Sequence, residues 1–453
     1  MTIDSYLDDS SGYRGSAERA FLPSNVEELR EIVKASAAEH IPLTVSGAGT
    51  GLAGARVPHG GWVVSLERFR NIQVDAGKAR CGAGVILKDL QKAAARTRQF
   101  FGPNPTEDSA AIGGIISTNA GGARSFHYGS VRRHVLGLEV TFMDGRTEWF
   151  RRGDKVDFPV RPIHVPATRK NSAGYYLTAD LDWVDLIAGS EGTLGIVTEA
   201  EVQLFPEPAA LLSGIVFFPS DELAMAAVKV WRPLNELRLL EFMDGNALNL
   251  LRPKYPDIPV LARAALQIEQ NLSSEEDSEV DAWTDRLRQQ EALEEESWFG
   301  LSAADRDRFR ELRHTLPVLA LETVRRIGFH KFDTDFALPL EHESTLHQFY
   351  KKRCEEILPG RYTIFGHAGD ANNHVNLMPA THEQAERVGA LLYEFAEFIV
   401  AHGGTIAAEH GVGKTKTDLL QLMYPGDEIR AMKAVKRLLD PQWLLGRDTI
   451  FAE

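Results

Sequence analysis

Apolar residues recur at helical spacing in several stretches of the chain. Val26, Leu29, Ile32, Val33 and Ala37 form one stripe, opened by Ser24 and Glu27 in a capping-box pattern that satisfies the first free N–H groups of a helix. Ala385, Val388, Leu391, Leu392, Phe395 and Ile399 form another, opened by Thr381 and Gln384 and ended by Gly403 and Gly404. Ile429, Met432, Val435, Leu438 and Leu439 form a third. Short apolar runs bounded by turn residues predict strands at Leu43 to Val45, Trp62 to Leu66, Leu136 to Phe142 before an Asp144–Gly145 turn, Leu194 to Phe205, and Thr405 to Ala408. No fixed-period repeat is visible. Mixed helix and strand thus run throughout, and 453 residues exceed one ordinary core, so two or three domains meeting at a cleft are expected.

Composition narrows this picture. With 43% apolar and 25% charged residues the chain has the makeup of a globular protein able to bury sizeable cores. A formal net charge of -14 opposes attraction to phosphate backbones, so nucleic acid is not an expected partner. Cys81 and Cys354 lie far apart and outside any CxxC pattern, which argues against a zinc ribbon, a Cys-ligated iron–sulfur cluster or a disulfide framework and for two buried thiols. The start, MTIDSYLDDSSGYRG, has no secretory pattern, and no run of about 20 apolar residues follows, so a cytoplasmic protein without a membrane span is expected, with peripheral membrane contact left open. The acidic region from 271 to 310, with Trp283, Leu287, Leu293 and Trp298 interleaved, reads as a solvated helical face. Composition shifts near Pro206 and Pro208, where a domain boundary is placed.

Three glycine-rich segments fall before that boundary. Ser46 to Gly54, SGAGTGLAG, follows a strand and can turn several backbone N–H groups toward one anion, as any glycine-rich surface turn also can. It is neither a GKT/S-ending phosphate loop nor a helix-opening GxGxxG with a following acidic residue. Asp108 to Gly122 adds Gly113, Gly114, Gly121 and Gly122, with Ser109, Ser117, Thr118 and Asn119 as side-chain donors, and Gly189 to Gly195, GSEGTLG, is the third. Together they suit an extended cofactor better than a lone phosphate.

A second constellation lies toward the C-terminus. Alternation in Asn372 to Leu377 puts Asn372, His374 and Asn376 on one strand face, and the Gly369–Asp370 turn can fold His367 back toward His374. Glu409 and His410 stand side by side in IAAEHGVGK. Two imidazoles and a carboxylate suit a divalent metal with open positions; zinc fits these donor types first, and manganese or iron are alternatives.

SGAGTGLAGARVP, GPNPTEDSAAIGGIISTNAGGARSFHYGS, VLGLEVTFMDG and DLIAGSEGTLGIVTEAEVQLFP resemble, in this order, the FAD domain of vanillyl-alcohol oxidase type flavoproteins. Within that group the chain is similar, over nearly its whole length, to the branch of glycolate oxidase flavin subunits, D-lactate dehydrogenases and D-2-hydroxyglutarate dehydrogenases. The resemblance implies an α+β fold: a two-lobed FAD-binding domain of the PCMH type over 1–208, a cap with an antiparallel sheet flanked by helices over 209–405, and a segment over 406–453 returning to the FAD domain. It implies FAD contacts from Ser46, Gly47, Ala48, Gly49, Thr50, Gly51, Pro105, Thr106, Ser109, Gly113, Gly114, Ser117, Thr118, Gly121, Glu191, Gly192, Gly195 and Ile196. The first glycine loop has no histidine, so the flavin is expected to be held noncovalently.

By position, HxGDxNxHxN and AEHG supply His367, His374 and Glu409 as metal ligands and His410 as base, with Asn376, Arg313 and Lys331 toward the substrate. The implied reaction oxidises a small D-2-hydroxy acid to the 2-oxo acid, with hydride passing to flavin N5 and then to an unidentified acceptor: quinone, electron-transfer flavoprotein, cytochrome or iron–sulfur subunit. A homodimer is compatible with this. Alternatives are a flavin-binding relay subunit of a glycolate oxidase-like complex and an ether-lipid synthase-like flavoenzyme, although the latter resembles HHHG where this chain has Ala408, Glu409, His410 and Gly411. The ending DPQWLLGRDTIF departs from the family's usual tail, which puts that tail's contact near the flavin in question.

Overall fold

The computed structural model describes residues 3–453. Near the N-terminus, Arg19–Phe21, Trp62–Ser65 and Leu43–Ser46 form a parallel three-stranded sheet in that order. Helix Val26–Glu39 packs on it through Leu29 and Val33, both wholly buried. Its cap lies one residue later than the expected pair. The Asn25 side chain accepts from the Glu28 N–H at 2.9 Å, and the Glu28 carboxylate accepts from the Ser24 N–H at 2.7 Å. Ser24 and Asn25 each precede a glutamate by three, and asparagine caps as well as serine, so the two registers compete locally.

The second lobe is an antiparallel sheet ordered Ile72–Asp75, Lys78–Gly82, Ile196–Gln203, Val135–Thr141, Thr147–Arg151. Its loops and the short helix Ile112–Ser117 face the first lobe. Beyond residue 209 a seven-stranded antiparallel sheet runs Trp298–Gly300, Ala210–Phe218, Ala264–Leu272, Leu237–Met243, Tyr362–His367, Asn372–Leu377, Phe332–Asp333. Alternation decides its two faces: Val216 and Phe218 pack with Trp231 and Trp283, whereas Ile215 and Phe217 pack with Leu248, Phe309 and Leu312. Helices therefore cover both sides of the sheet, and its central strands become apolar throughout. Leu237–Met243 is buried at every position, yet carries Arg238 and Glu241.

Two expected features differ. Thr405 to Ala408 is not a strand; only Thr405 bridges Ala337, and the Ala408 N–H donates to the Asp335 carbonyl at 2.8 Å. Leu438 is 56% exposed, while Ala431, Met432, Val435 and Leu439 carry the buried stripe of helix Gly426–Leu439. In the acidic region, helix Ser278–Gln289 buries Trp283 and Leu287. Cys81 and Cys354 are buried free thiols. Among the described residues no helix is long and apolar enough to cross a membrane. The C-terminal stretch returns to the first lobe: the Leu43 N–H donates to the Leu444 carbonyl at 2.8 Å, and the Gly446 N–H to the Leu43 carbonyl at 2.9 Å.

Candidate active site

One groove runs between the two N-terminal lobes and ends at Glu409 and His410. Ser46, Gly47, Ala48, Gly49, Thr50 and Gly51 line it, as do Pro105, Thr106, Gly113, Gly114, Ser117, Thr118, Gly121, Glu191, Gly192 and Gly195. Ser109 and Ile196 lie outside the lining. The Ser109 hydroxyl donates to the Glu107 carboxylate at 2.5 Å, and Ile196 belongs to the buried core of the first lobe. The glycines serve different ends. A Cβ on Gly114 would meet nothing within 4 Å, so backbone there is open to a cofactor. A Cβ on Gly121 would come within 2.5 Å of the Glu409 carboxylate and 3.1 Å of the Lys170 side chain, so this glycine admits protein instead. Glu191 lines the groove and also holds the loop after His410: its two oxygens accept the N–H groups of Val412 and Gly413, each at 2.8 Å. Burial pushes its carboxyl up to about 7.

The strand Asn372–Leu377 pairs with Tyr362–His367 so that His367 faces Asn372, and the His367 and His374 rings stand 5.4 Å apart. Donor atoms of His367, His374 and Glu409 all lie within 4.8 Å of one another. One Glu409 oxygen is 2.9 Å from His367 Nε2 and 3.3 Å from His374 Nε2; the other accepts from Lys170 Nζ at 2.8 Å. On the far side of the rings, His367 Nδ1 is 2.5 Å from Glu241 and His374 Nδ1 is 2.8 Å from the Thr334 carbonyl. A carbonyl only accepts, so His374 Nδ1 carries the hydrogen and a neutral ring directs its Nε2 lone pair at Glu409. Both rings thus meet acceptors on both nitrogens, while a neutral imidazole has a single N–H. The arrangement calls for a positive centre between the Nε2 atoms and Glu409, either protons or a divalent ion, and the carboxylate–histidine pairing of Glu241 and His367 is of the kind that orients metal ligands.

The charges agree. Burial opposes an imidazolium at His367, but Glu241 and Glu409 raise its pKa to about 9. Burial would raise the Glu241 carboxyl, yet His367 and Arg313 bring it down to about 2. Glu409, also buried, is held well below the ordinary carboxylate range by His367 and Lys170. Burial would lower the Lys170 ammonium, and Glu409 and Asp370 raise it instead. His410 stacks on His374 with ring centres 5.3 Å apart and planes 5° from parallel. Its Nδ1 lies 3.7 Å from Asp335, whose carboxylate accepts from the His410 N–H at 2.9 Å and from Lys416 at 2.9 Å.

Arg313, from the helix Ala303–Arg325, donates through Nε to Glu241 at 3.0 Å and lies over the Phe365 ring. Lys331 donates to the Asn376 side-chain oxygen at 2.8 Å and to Asp333 at 2.6 Å. The Asn376 side-chain nitrogen is buried with no hydrogen-bond partner among the described residues. Sequence reasoning missed Lys170, Glu241 and Asp335. Glu241 had a signal, a charge inside the apolar run LRLLEFM; Lys170 stands in a loop with none.

A groove built for an extended cofactor, abutting a buried polar cluster on a separate capped sheet, is the division of labour of a flavin-dependent oxidoreductase. The profile described as FAD binding domain matches residues 17–151, and that described as FAD linked oxidases, C-terminal domain, matches residues 207–450. The chain belongs to this family of FAD-linked oxidases, and FAD is its cofactor. It is similar to the D-lactate dehydrogenase of Archaeoglobus fulgidus, 32% identical across 93% of this chain and 89% of that one. It is also similar to glycolate oxidase subunit GlcD of Bacillus subtilis, 31% identical across 98% and 91% respectively. A solved structure of alkyldihydroxyacetonephosphate synthase superposes with a TM-score of 0.68 at 16% identity, covering 94% of this chain and 76% of the other, which speaks to the fold.

Proposed function

We propose that the chain oxidises a D-2-hydroxy acid of the lactate, glycolate or hydroxyglutarate class to the 2-oxo acid, using noncovalent FAD and a divalent metal, zinc by donor type, held by His367, His374 and Glu409. The supporting observation is the place of His410: it borders the glycine-lined groove on one side and stacks on His374 on the other. The choice of substrate class and of the D configuration draws on the relatives named above. The division into a flavin domain over 1–208, a cap over 209–405 and a returning segment over 406–453 belongs to the same reading.

Bound flavin supplies two-electron oxidation at the substrate carbon, and a divalent ion supplies Lewis acidity toward the hydroxyl. The chain's own groups do the rest. His410 accepts the hydroxyl proton; burial lowers its pKa although Asp335 opposes this, which favours the neutral ring a base requires near pH 7. Asp335 fixes the backbone at His410 and Glu409 by accepting both N–H groups. Asn376 offers its unpartnered N–H group to the substrate carboxylate, and Lys331, bonded to the same amide, adds positive charge beside it. Arg313 adds a second cation from behind Glu241.

The test is anaerobic mixing of flavin-loaded protein with D-lactate, L-lactate, glycolate, D-malate and D-2-hydroxyglutarate while flavin absorbance is followed. Bleaching by one or more D acids or by glycolate is expected. A flavin left fully oxidised by all of them rejects the proposal, and bleaching by L-lactate alone rejects the D configuration.

A further inference from the structure

Lys170 lies in the loop 164–172, on the N-terminal side of the groove, yet its ammonium is carried into the His/Glu cluster of the cap. It is 1% exposed. Its Nζ is 2.8 Å from one oxygen of Glu409, 3.4 Å from the Asn372 amide oxygen and 3.5 Å from Asp370. Asp370 is itself buried, and Arg169, the neighbouring residue, approaches its other oxygen at 3.2 Å. Burying a lysine this completely is costly unless its partners are charged and fixed, so the position is unlike that of an ordinary surface cation.

We infer that Lys170 is a positioning residue for the metal ligand Glu409: by fastening one carboxylate oxygen, it turns the other toward the Nε2 atoms of His367 and His374. This rests on the metal reading proposed above. Three structural facts support it. The two Glu409 oxygens are divided, one to the lysine and one to the histidines. Glu409 follows an irregular stretch with no strand to hold its side chain, so its orientation depends on such contacts. Gly121 leaves room for the pair, since a Cβ there would overlap the Glu409 carboxylate and press on the Lys170 side chain. The lysine charge also offsets the glutamate charge, so two neutral imidazoles and a compensated carboxylate would leave the positive charge of an ion available to an anionic substrate.

The test uses full-length, flavin-loaded protein stripped of metal and titrated with cobalt(II), whose visible bands report its ligand set without turnover. Wild-type protein is expected to bind cobalt stoichiometrically. Lys170→Met is expected to weaken cobalt affinity by about 10- to 100-fold and alter the bands, with the flavin spectrum retained, as loss of a ligand's supporting partner does elsewhere. Lys170→Gln removes the charge and shortens the side chain without touching Glu409, and is expected to weaken cobalt binding and shift the same bands; it carries the test should Lys170→Met fail to fold. Wild type that takes up no cobalt rejects the metal reading and with it this role. Wild type that binds cobalt while both variants match it in affinity and spectrum rejects the role of Lys170 alone.

Discussion

Glu241 stands in a strand buried at every position, with Arg313 on one oxygen and His367 on the other. The three groups compensate one another where no water can. Removing the carboxylate leaves buried Arg313 without this partner and His367 with Glu409 alone, so Glu241→Ala is expected to lower unfolding free energy by about 3–5 kcal/mol in urea titration. A loss within 1 kcal/mol would show that the network is solvated. His410 makes the opposite case, a side chain at the groove whose removal should leave the fold intact. His410→Ala is expected to slow substrate-driven flavin reduction by about 100- to 10,000-fold in stopped flow without loss of bound flavin; an unchanged rate would remove the base from this position.

At the scale of elements, legibility followed periodicity. The helix His382–Ala401 begins where its signal stood: Thr381 accepts from the Gln384 N–H at 3.2 Å, and the Gln384 side chain accepts from the Ala380 N–H at 2.8 Å. Thr381→Ala is expected to cost about 1 kcal/mol of stability, read from the urea midpoint at constant m-value. Alternation likewise put Asn372, His374 and Asn376 on one face of a real strand. Where periodicity failed, so did the reading. Thr405 to Ala408 has strand-forming residues but finds partners in Ala337 and Asp335, so the chain reaches Glu409 as a loop. The cluster around Glu409 draws on Lys170, Glu241 and Asp335 from three distant parts of the sequence, a convergence that only the fold creates. Glycine content marked the groove but not what each glycine makes room for: Gly114 is open, while Gly121, also in the lining, is packed against Glu409 and Lys170.

For the whole molecule, buried carboxyls set opposing trends with pH. Glu241, and buried Glu269, which Arg124 and Arg238 hold down against burial, are each near 2 and contribute stability that is present above the ordinary carboxylate pKa and lost as pH falls through about 2. Glu191 behaves the other way: its folded pKa of about 7 exceeds the unfolded value, so its contribution is full below about 4.5 and is lost as pH rises through about 7. Between about pH 5 and pH 8, Glu191→Gln is expected to flatten the fall in unfolding free energy by roughly 2 kcal/mol relative to wild type. Parallel urea titrations would reveal this, and identical slopes would place Glu191 in contact with water.

The pairing of Leu43 with Leu444 and Gly446 joins residues made roughly 400 positions apart. Without residues 444–446, Leu43 at the outer edge of the Leu43–Ser46 strand loses the partner for both its N–H and its carbonyl, and an unpaired edge is a template for another copy of the same chain. A protein ending after Asp440 would keep that exposure; it is expected to form light-scattering aggregates under conditions where the 453-residue chain stays clear. The segment after Asp440 is therefore a partial cover for the edge of the first sheet.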